Sequence, residues 1–233
     1  MEEIISPQIR EILKTVDHTL LSPTATESEV RQLCRDGLRF RTASVCVAPA
    51  FVRMSRDFCG KDLPVCTVIG FPNGYATSPV KCFETADAIR NGADEGDMVV
   101  NLGWVKEGKY EAVLEEINAV KEAAEGRILK VIVETCLLTE AEKIRMCEVV
   151  SASDADFIKT STGFSKGGAT RADIALFRAH MTGKKKIKAA GGIASLSDAR
   201  NFLALGADRL GTSRIVRLVK EGIEKAQRES GKF

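Results

Sequence analysis

The chain has 233 residues, of which 44% are apolar and 28% charged, with only 6 Pro; this excludes disorder, collagen-like repeats and a mucin-like stalk as descriptions of the whole. Lys and Arg number 34 and Asp and Glu 32, a formal charge of +2 that lacks the basic excess of a nucleic-acid binder. No stretch approaches 18 consecutive apolar residues, and MEEIISPQIREIL does not read as a signal peptide, so a cytoplasmic chain with no membrane partner is expected.

Segment 2–13 reads as an extra helix ahead of the first strand, KTVD (14–17). Residues 26–37 then place Val30, Leu33 and Cys34 on one helical face, with Thr26 and Glu29 in capping-box spacing and Gly37 as the expected stop. TASVCVA (42–48) and VCTVIG (65–70) are the next strands. Gly92 ends the helical run before DMVVN (97–101). Residues 103–125 gather Val113, Leu114, Ile117 and Val120 on one face, and Gly126 follows. ILKVIVE (128–134) precedes a helix over 141–150, carried by Ile144, Cys147 and Val150. DFIKT (156–160), a helix opening at Thr170, KIKAA (186–190), a helix closed by Gly206 and DRLG (208–211) complete the series.

Eight strands at about 29 residues per unit predict a compact α/β fold, a (β/α)8 TIM barrel with an additional N-terminal helix. An open doubly wound sheet is the alternative. No linker divides the chain, so a single domain over 1–233 is expected. The seven cysteines include no C-x-x-C pair and suit free thiols in a reducing compartment. With only His18 and His180, far apart in the chain, no protein-built metal site is expected.

In such a barrel the active site lies at the C-terminal ends of the strands. Asp17, His18 and Thr19 end strand 1, and Cys46 lies on strand 2. Strand 4 carries Asp97, strand 5 ends at Glu134, and Lys159 and Lys188 hold matching places on strands 6 and 7. Unpaired charges cannot occupy a dry core, so a shared polar site at the barrel mouth is expected. Two inward amines on adjacent strands would each disfavour protonation of the other, and a neutral lysine amine attacks carbonyls to form a Schiff base. Snorkelling lysines, or simple ion pairs with Asp17 or Asp97, are the plainer alternative. Asp97 suits proton transfer or a structural pairing, Cys46 suits packing, and His18 remains open between structure and catalysis. AAGGIAS (189–195) and LGTSR (210–214) follow strands 7 and 8, where barrels of this kind hold phosphate.

These segments resemble the deoxyribose-phosphate aldolase family (DeoC type) of class I aldolases. The similarity runs through VDHTLL (16–21), VCVAPAFV (45–52), VCTVIGFPNG (65–74), GADEGDMVVNLG (92–103), LKVIVETCLLT (129–139), DFIKTSTGF (156–164), IKAAGGI (187–193) and GADRLGTSR (206–214). The resemblance implies reversible cleavage of 2-deoxy-D-ribose 5-phosphate to D-glyceraldehyde 3-phosphate and acetaldehyde, without metal or other cofactor. It makes Lys159 the Schiff-base lysine, Lys188 the neighbour that tunes it and Asp97 the partner in proton transfer. It places Asp17, Thr19 and Cys46 near the substrate, and Thr162, Gly163, Gly191, Gly192, Gly211, Thr212 and Ser213 in the substrate- and phosphate-binding parts. It also implies a homo-oligomer, dimer or tetramer.

The chain departs from the family pattern in four places. Gly96 replaces an apolar branched residue before Asp97, Ala190 replaces a frequent Ser, and Arg214 stands where glycine commonly follows soon after. Phe233 ends the chain without the phenol that some members use. A different Schiff-base aldolase, a phosphosugar isomerase and a non-catalytic binding barrel are the competing functions. The lysine pair argues against mere binding, since two amines buried without use cost stability.

Overall fold

Short apolar runs alternating with amphipathic stretches close into a ring in the computed structural model, which describes residues 5–229. Helix α1 (Pro7–Leu13) precedes β1 (Val16–Leu20), followed by α2 (Glu27–Phe40), β2 (Ser44–Val47), α3 (Val52–Cys59), β3 (Val65–Ile69) and α4 (Ser78–Arg90). Next come β4 (Glu95–Val99), α5 (Leu102–Lys106), α6 (Tyr110–Ala123), β5 (Ile128–Ile132), α7 (Glu140–Ala152) and β6 (Phe157–Lys159). Helix α8 (Arg171–His180), β7 (Lys186–Ala190), α9 (Leu196–Ala204), β8 (Arg209–Thr212) and α10 (Ile215–Glu229) complete the chain. The strands are parallel and pair in sequence order, with β8 returning to β1. This is the expected (β/α)8 barrel with its additional N-terminal helix. The first residues of the expected 2–13 helix, 2 to 4, lie outside the described residues, as does Phe233.

Local signals explain most element starts. Thr26 and Glu29 form the expected capping box on α2, and Thr139 with Glu142 and Thr170 with Asp173 do the same for α7 and α8. The main core lies between barrel and helices, where Val16, Val45, Val65, Leu129 and Ile158 meet residues such as Val30, Ile117, Cys147, Ile174 and Phe177. All seven cysteines are free thiols. Among the described residues, no helix is long and apolar enough to cross a membrane.

The structure corrects three expectations. Gly37 does not stop α2: it is buried inside the helix, where a Cβ would come within 2.6 Å of Leu63 Cδ2, so it lets the helix pack closely and Arg41 takes the left-handed cap. The 103–125 helix is two helices, broken where Gly108 adopts φ 72. Strand β1 runs on through His18 to Leu20, and β4 starts two residues early at Glu95. In both strands, polar residues inside the barrel disguised a continuous strand.

His18 belongs to the fold and not to the cavity. It is buried, its Nδ1 has no hydrogen-bond partner, and Asp36 and Lys220 are the charges that act on it. Burial lowers its pKa from 6.5 to about 4; Asp36 opposes that shift and Lys220 adds to it. As pH falls below 6.5 the unfolded chain therefore takes up a proton that the fold refuses until about 4. Stability drains across that window, by roughly 3 kcal/mol in all. We predict that His18→Gln flattens this part of the profile, read as urea midpoints between pH 7.5 and 4.5. Equal slopes for variant and parent would contradict it.

Candidate active site

Successive strand residues face opposite sides, so alternate positions enter the barrel bore. There the sequence has placed charge. Asp97 Oδ2 accepts from Lys159 Nζ at 2.7 Å and from Lys188 Nζ at 2.6 Å. Its Oδ1 accepts from Lys130 Nζ at 2.9 Å and from the Cys66 thiol at 3.3 Å. Lys188 also pairs with Asp17, and Lys130 reaches Glu95 at 2.6 Å. Arg209 closes the network, 2.5 Å from Asp17 Oδ1 and 3.2 Å from Glu95. Strand register sets this up, since Lys159 and Lys188 are direct partners on β6 and β7, and Asp97 and Lys130 on β4 and β5.

Lys130, Lys159, Lys188 and Arg209 thus face Asp17, Glu95 and Asp97, four cations against three carboxylates. Burial alone would neutralise the Asp97 carboxyl, but Lys130, Lys159 and Lys188 hold its pKa well below the usual carboxylate range. Burial likewise opposes the Lys188 charge, yet Asp17 and Asp97 outweigh it and raise its pKa above that of an ordinary lysine. The expectation that the two lysines discharge each other is corrected for Lys188, which is the fixed cation. Lys159 touches one carboxylate, whereas Lys188 touches two and Lys130 is within 4 Å of three. Of the three lysines, Lys159 therefore has the fewest carboxylate contacts.

Above this cluster lies a cavity of about 570 Å³. Lys159 stands in its lining with Thr19, Thr162, Gly163, Gly191, Gly192, Gly211, Thr212 and Ser213, nine of the residues singled out from sequence. Asp97 and Lys188 lie directly beneath, in contact with Lys159 or its carboxylate partner. Asp17 and Cys46 do not line the cavity. Asp17 is fully buried and holds Ser44, Lys188 and Arg209, while Cys46 packs against Cys66 and Val68. Both lie beside the charge cluster beneath the cavity.

The loops after β6, β7 and β8 are fixed by their own bonds. Thr162 donates from its N–H at 3.2 Å and its hydroxyl at 2.5 Å to Glu134, which has turned into the left-handed region at φ 51. Glu134 therefore pairs with a threonine and not with a lysine. Gly168 passes so close to the β7 loop that a Cβ would meet the Gly191 carbonyl carbon at 2.4 Å. A Cβ on Gly211 would press on Lys188 Cε at 3.0 Å and Ala190 Cβ at 3.1 Å. Gly96 is different: a Cβ there would sit in ordinary contact with Ile69 and Leu129, at 3.7 and 3.8 Å. Asp97 is held by three amines, so glycine beside it does not leave it loose.

Sequence reading missed Lys130, Glu95 and Arg209 as cluster members. Lys130 was visible as the one cation inside ILKVIVE, at the same phase as the Lys159 and Asp97 positions. Glu95 was hidden by starting strand 4 two residues late. Phe164 was also unassigned; it lines the cavity and stacks edge-on against Phe71, ring centres 5.2 Å apart.

Fold and site together define a lysine-centred barrel, with Lys159 and glycine-rich loops lining one cavity. The chain belongs to the DeoC/LacD family of aldolases, which matches residues 11–210. It is 53% identical over 218 residues to a deoxyribose-phosphate aldolase of Streptococcus pyogenes serotype M28, covering 94% of this chain and 98% of that one. A deoxyribose-phosphate aldolase of Streptococcus agalactiae serotype Ia is 54% identical over 213 residues, 91% of this chain and 96% of the other. Among solved structures, the tetrameric deoxyribose phosphate aldolase of Aeropyrum pernix superposes with a TM-score of 0.85 at 30% identity, over 91% of each chain.

Proposed function

We propose that Lys159 is the Schiff-base lysine of a class I aldolase that reversibly cleaves 2-deoxy-D-ribose 5-phosphate to D-glyceraldehyde 3-phosphate and acetaldehyde. One observation carries the assignment: Lys159 lines the cavity while its amine sits on the same carboxylate oxygen as buried Lys188. The neutral amine attacks C1 of the open-chain sugar, and loss of water gives an iminium. The C3 hydroxyl then loses its proton as the C2–C3 bond breaks, and the electron pair flows into the iminium to leave an enamine. Glyceraldehyde 3-phosphate departs. Protonation of the enamine at C2 and hydrolysis release acetaldehyde and the free amine.

The cluster supplies the rest. Asp97, held ionised, balances the iminium charge 2.7 Å from the lysine nitrogen and takes part in proton transfer, with Lys188 as the fixed cation beside it. Thr19, Thr162 and Gly163 position the sugar, and Gly191, Gly192, Gly211, Thr212 and Ser213 hold its phosphate. Binding at that remote end fixes C1 near the amine. The iminium does the polarising that a metal would otherwise do, so the scheme uses no metal or cofactor.

The same reading takes residues 1–233 as one catalytic domain, cytoplasmic, working as a dimer or tetramer. Support for assembly comes from the tetrameric Aeropyrum pernix relative and from the exposed apolar side chains of Tyr75, Val80 and Phe83. The test is direct turnover. Protein mixed with 2-deoxyribose 5-phosphate should release glyceraldehyde 3-phosphate and acetaldehyde in equal amounts. Release of another aldehyde pair, or of neither, would overturn the assignment.

A further inference from the structure

Glu134 does not line the active-site cavity, but its buried carboxylate is bonded to a residue that does, and the chemistry above gives it no task. Among the described residues every donor to it is neutral. The Thr162 N–H and hydroxyl both reach Oε2, and the Cys136 thiol lies 3.8 Å from Oε1. A buried carboxylate without a cation is costly where a neutral side chain could fill the same space. The backbone adds to that cost. Glu134 sits at φ 51 and ψ 65, a left-handed conformation that a non-glycine residue keeps only when its surroundings fix it. What the arrangement achieves is a tightly held turn. The Thr162 hydroxyl donates to Glu134 and accepts from Phe164 N–H at 3.0 Å, enclosing Gly163 at φ 83. Beside it, Thr135 N–H donates to the Thr160 carbonyl at 2.9 Å. The segment held in this way, 160–164, starts one residue after Lys159, and its Thr162, Gly163 and Phe164 all line the cavity.

We propose that Glu134 is a positioning residue for sugar cleavage, anchoring the loop after β6 so that the cavity wall beside Lys159 fits the substrate. The inference rests on the aldolase reading above and deepens it. Glu134 works through an acceptor oxygen at a set reach, and not through its charge. Both bonds from Thr162 converge on one oxygen, so the amide oxygen of a glutamine can receive them both. Aspartate keeps the charge and tolerates a left-handed backbone, but it withdraws its oxygens by one methylene, about 1.5 Å. An anchor therefore survives Glu134→Gln and fails in Glu134→Asp. A group that moved a proton would rank the two variants the other way.

The experiment compares the full chain with its Glu134→Gln and Glu134→Asp variants. In Glu134→Asp, kcat/KM for 2-deoxyribose 5-phosphate should fall on the order of tenfold to a hundredfold, the effect of a wall displaced by an ångström or so. Glu134→Gln should stay within about threefold of the parent. Borohydride trapping of acetaldehyde, which has only two carbons and engages the lysine alone, should modify Lys159 equally in all three proteins. The loss in Glu134→Asp should also vanish in a Thr162→Val background, because the same bonds cannot be broken twice. Hydrogen–deuterium exchange needs no turnover, and the amides of 160–164 should exchange on the order of tenfold faster in Glu134→Asp but at the parent rate in Glu134→Gln. Parent-level cleavage by Glu134→Asp, or a loss in Glu134→Gln as large as in Glu134→Asp, overturns the role of Glu134. So does unchanged exchange in Glu134→Asp. A parent protein that neither cleaves the sugar nor traps acetaldehyde, with exchange accelerated in Glu134→Asp alone, overturns the aldolase reading and leaves the anchor.

Discussion

Lys159→Met is expected to lose cleavage of 2-deoxyribose 5-phosphate by on the order of 10⁴-fold or more in kcat/KM, because the covalent route disappears with its nucleophile. No second amine can substitute. Lys188 and Lys130 are buried beneath the floor and bound to two or more carboxylates each, and Arg214 at the rim carries no nucleophilic amine. Methionine keeps the length and apolar stem of lysine. It also leaves three cations facing three carboxylates, so the variant should unfold at a denaturant concentration no lower than the parent. Loss of activity with retained stability separates a chemical role from a structural one. Activity within tenfold of the parent would contradict the assignment of Lys159.

Asp97→Asn has the second large effect, and it strikes stability and rate together. Asparagine keeps the shape but leaves Lys130, Lys159, Lys188 and Arg209 facing only Asp17 and Glu95. Removing one partner from a buried ion pair costs about 3–5 kcal/mol, because the remaining charge stays buried and uncompensated. Here the carboxylate serves three amines at once. The expected result is a fall of that size in unfolding free energy from urea titration at neutral pH, with kcat reduced far more than KM changes. Stability within 1 kcal/mol of the parent would show that the cluster does not depend on Asp97. An unaltered kcat would remove it from the proton relay.

Much of the fold was legible because each (β/α) unit announces itself twice, by an apolar run and by a capped helix. Thr26 with Glu29, and Gly92, Gly126 and Gly206 at positive φ, stood where local rules put them. The errors came from local rules overridden by packing. Gly37 has the composition of a stop signal, but its use is to let α2 approach Leu63 and Val45. Strands β1 and β4 were misread because a half-polar strand looks like a strand end, and here both strands carry charges into the bore.

The site divides along the same line. Residues in glycine-rich loops and at strand ends were found, since their types are unusual there, and nine of them line one cavity. What a linear reading could not supply was depth. Asp17 and Cys46 carry reactive groups in the right strands, yet sit one layer below the cavity. Lys130 and Arg209 look like strand residues with snorkelling side chains until the ring closes and turns them on Asp97, Asp17 and Glu95. The excess of one cation over the carboxylates exists only when all seven charges are counted together.

The most direct test is chemical trapping. Protein incubated with 2-deoxyribose 5-phosphate and reduced with borohydride should carry an N-ethyl group on one lysine, located by peptide mass spectrometry. The structure predicts that it resides on Lys159 and is absent from Lys130 and Lys188. Modification of Lys188 or Lys130 in place of Lys159, or no modification while cleavage proceeds, would contradict the reading of this cluster as a Schiff-base site centred on Lys159.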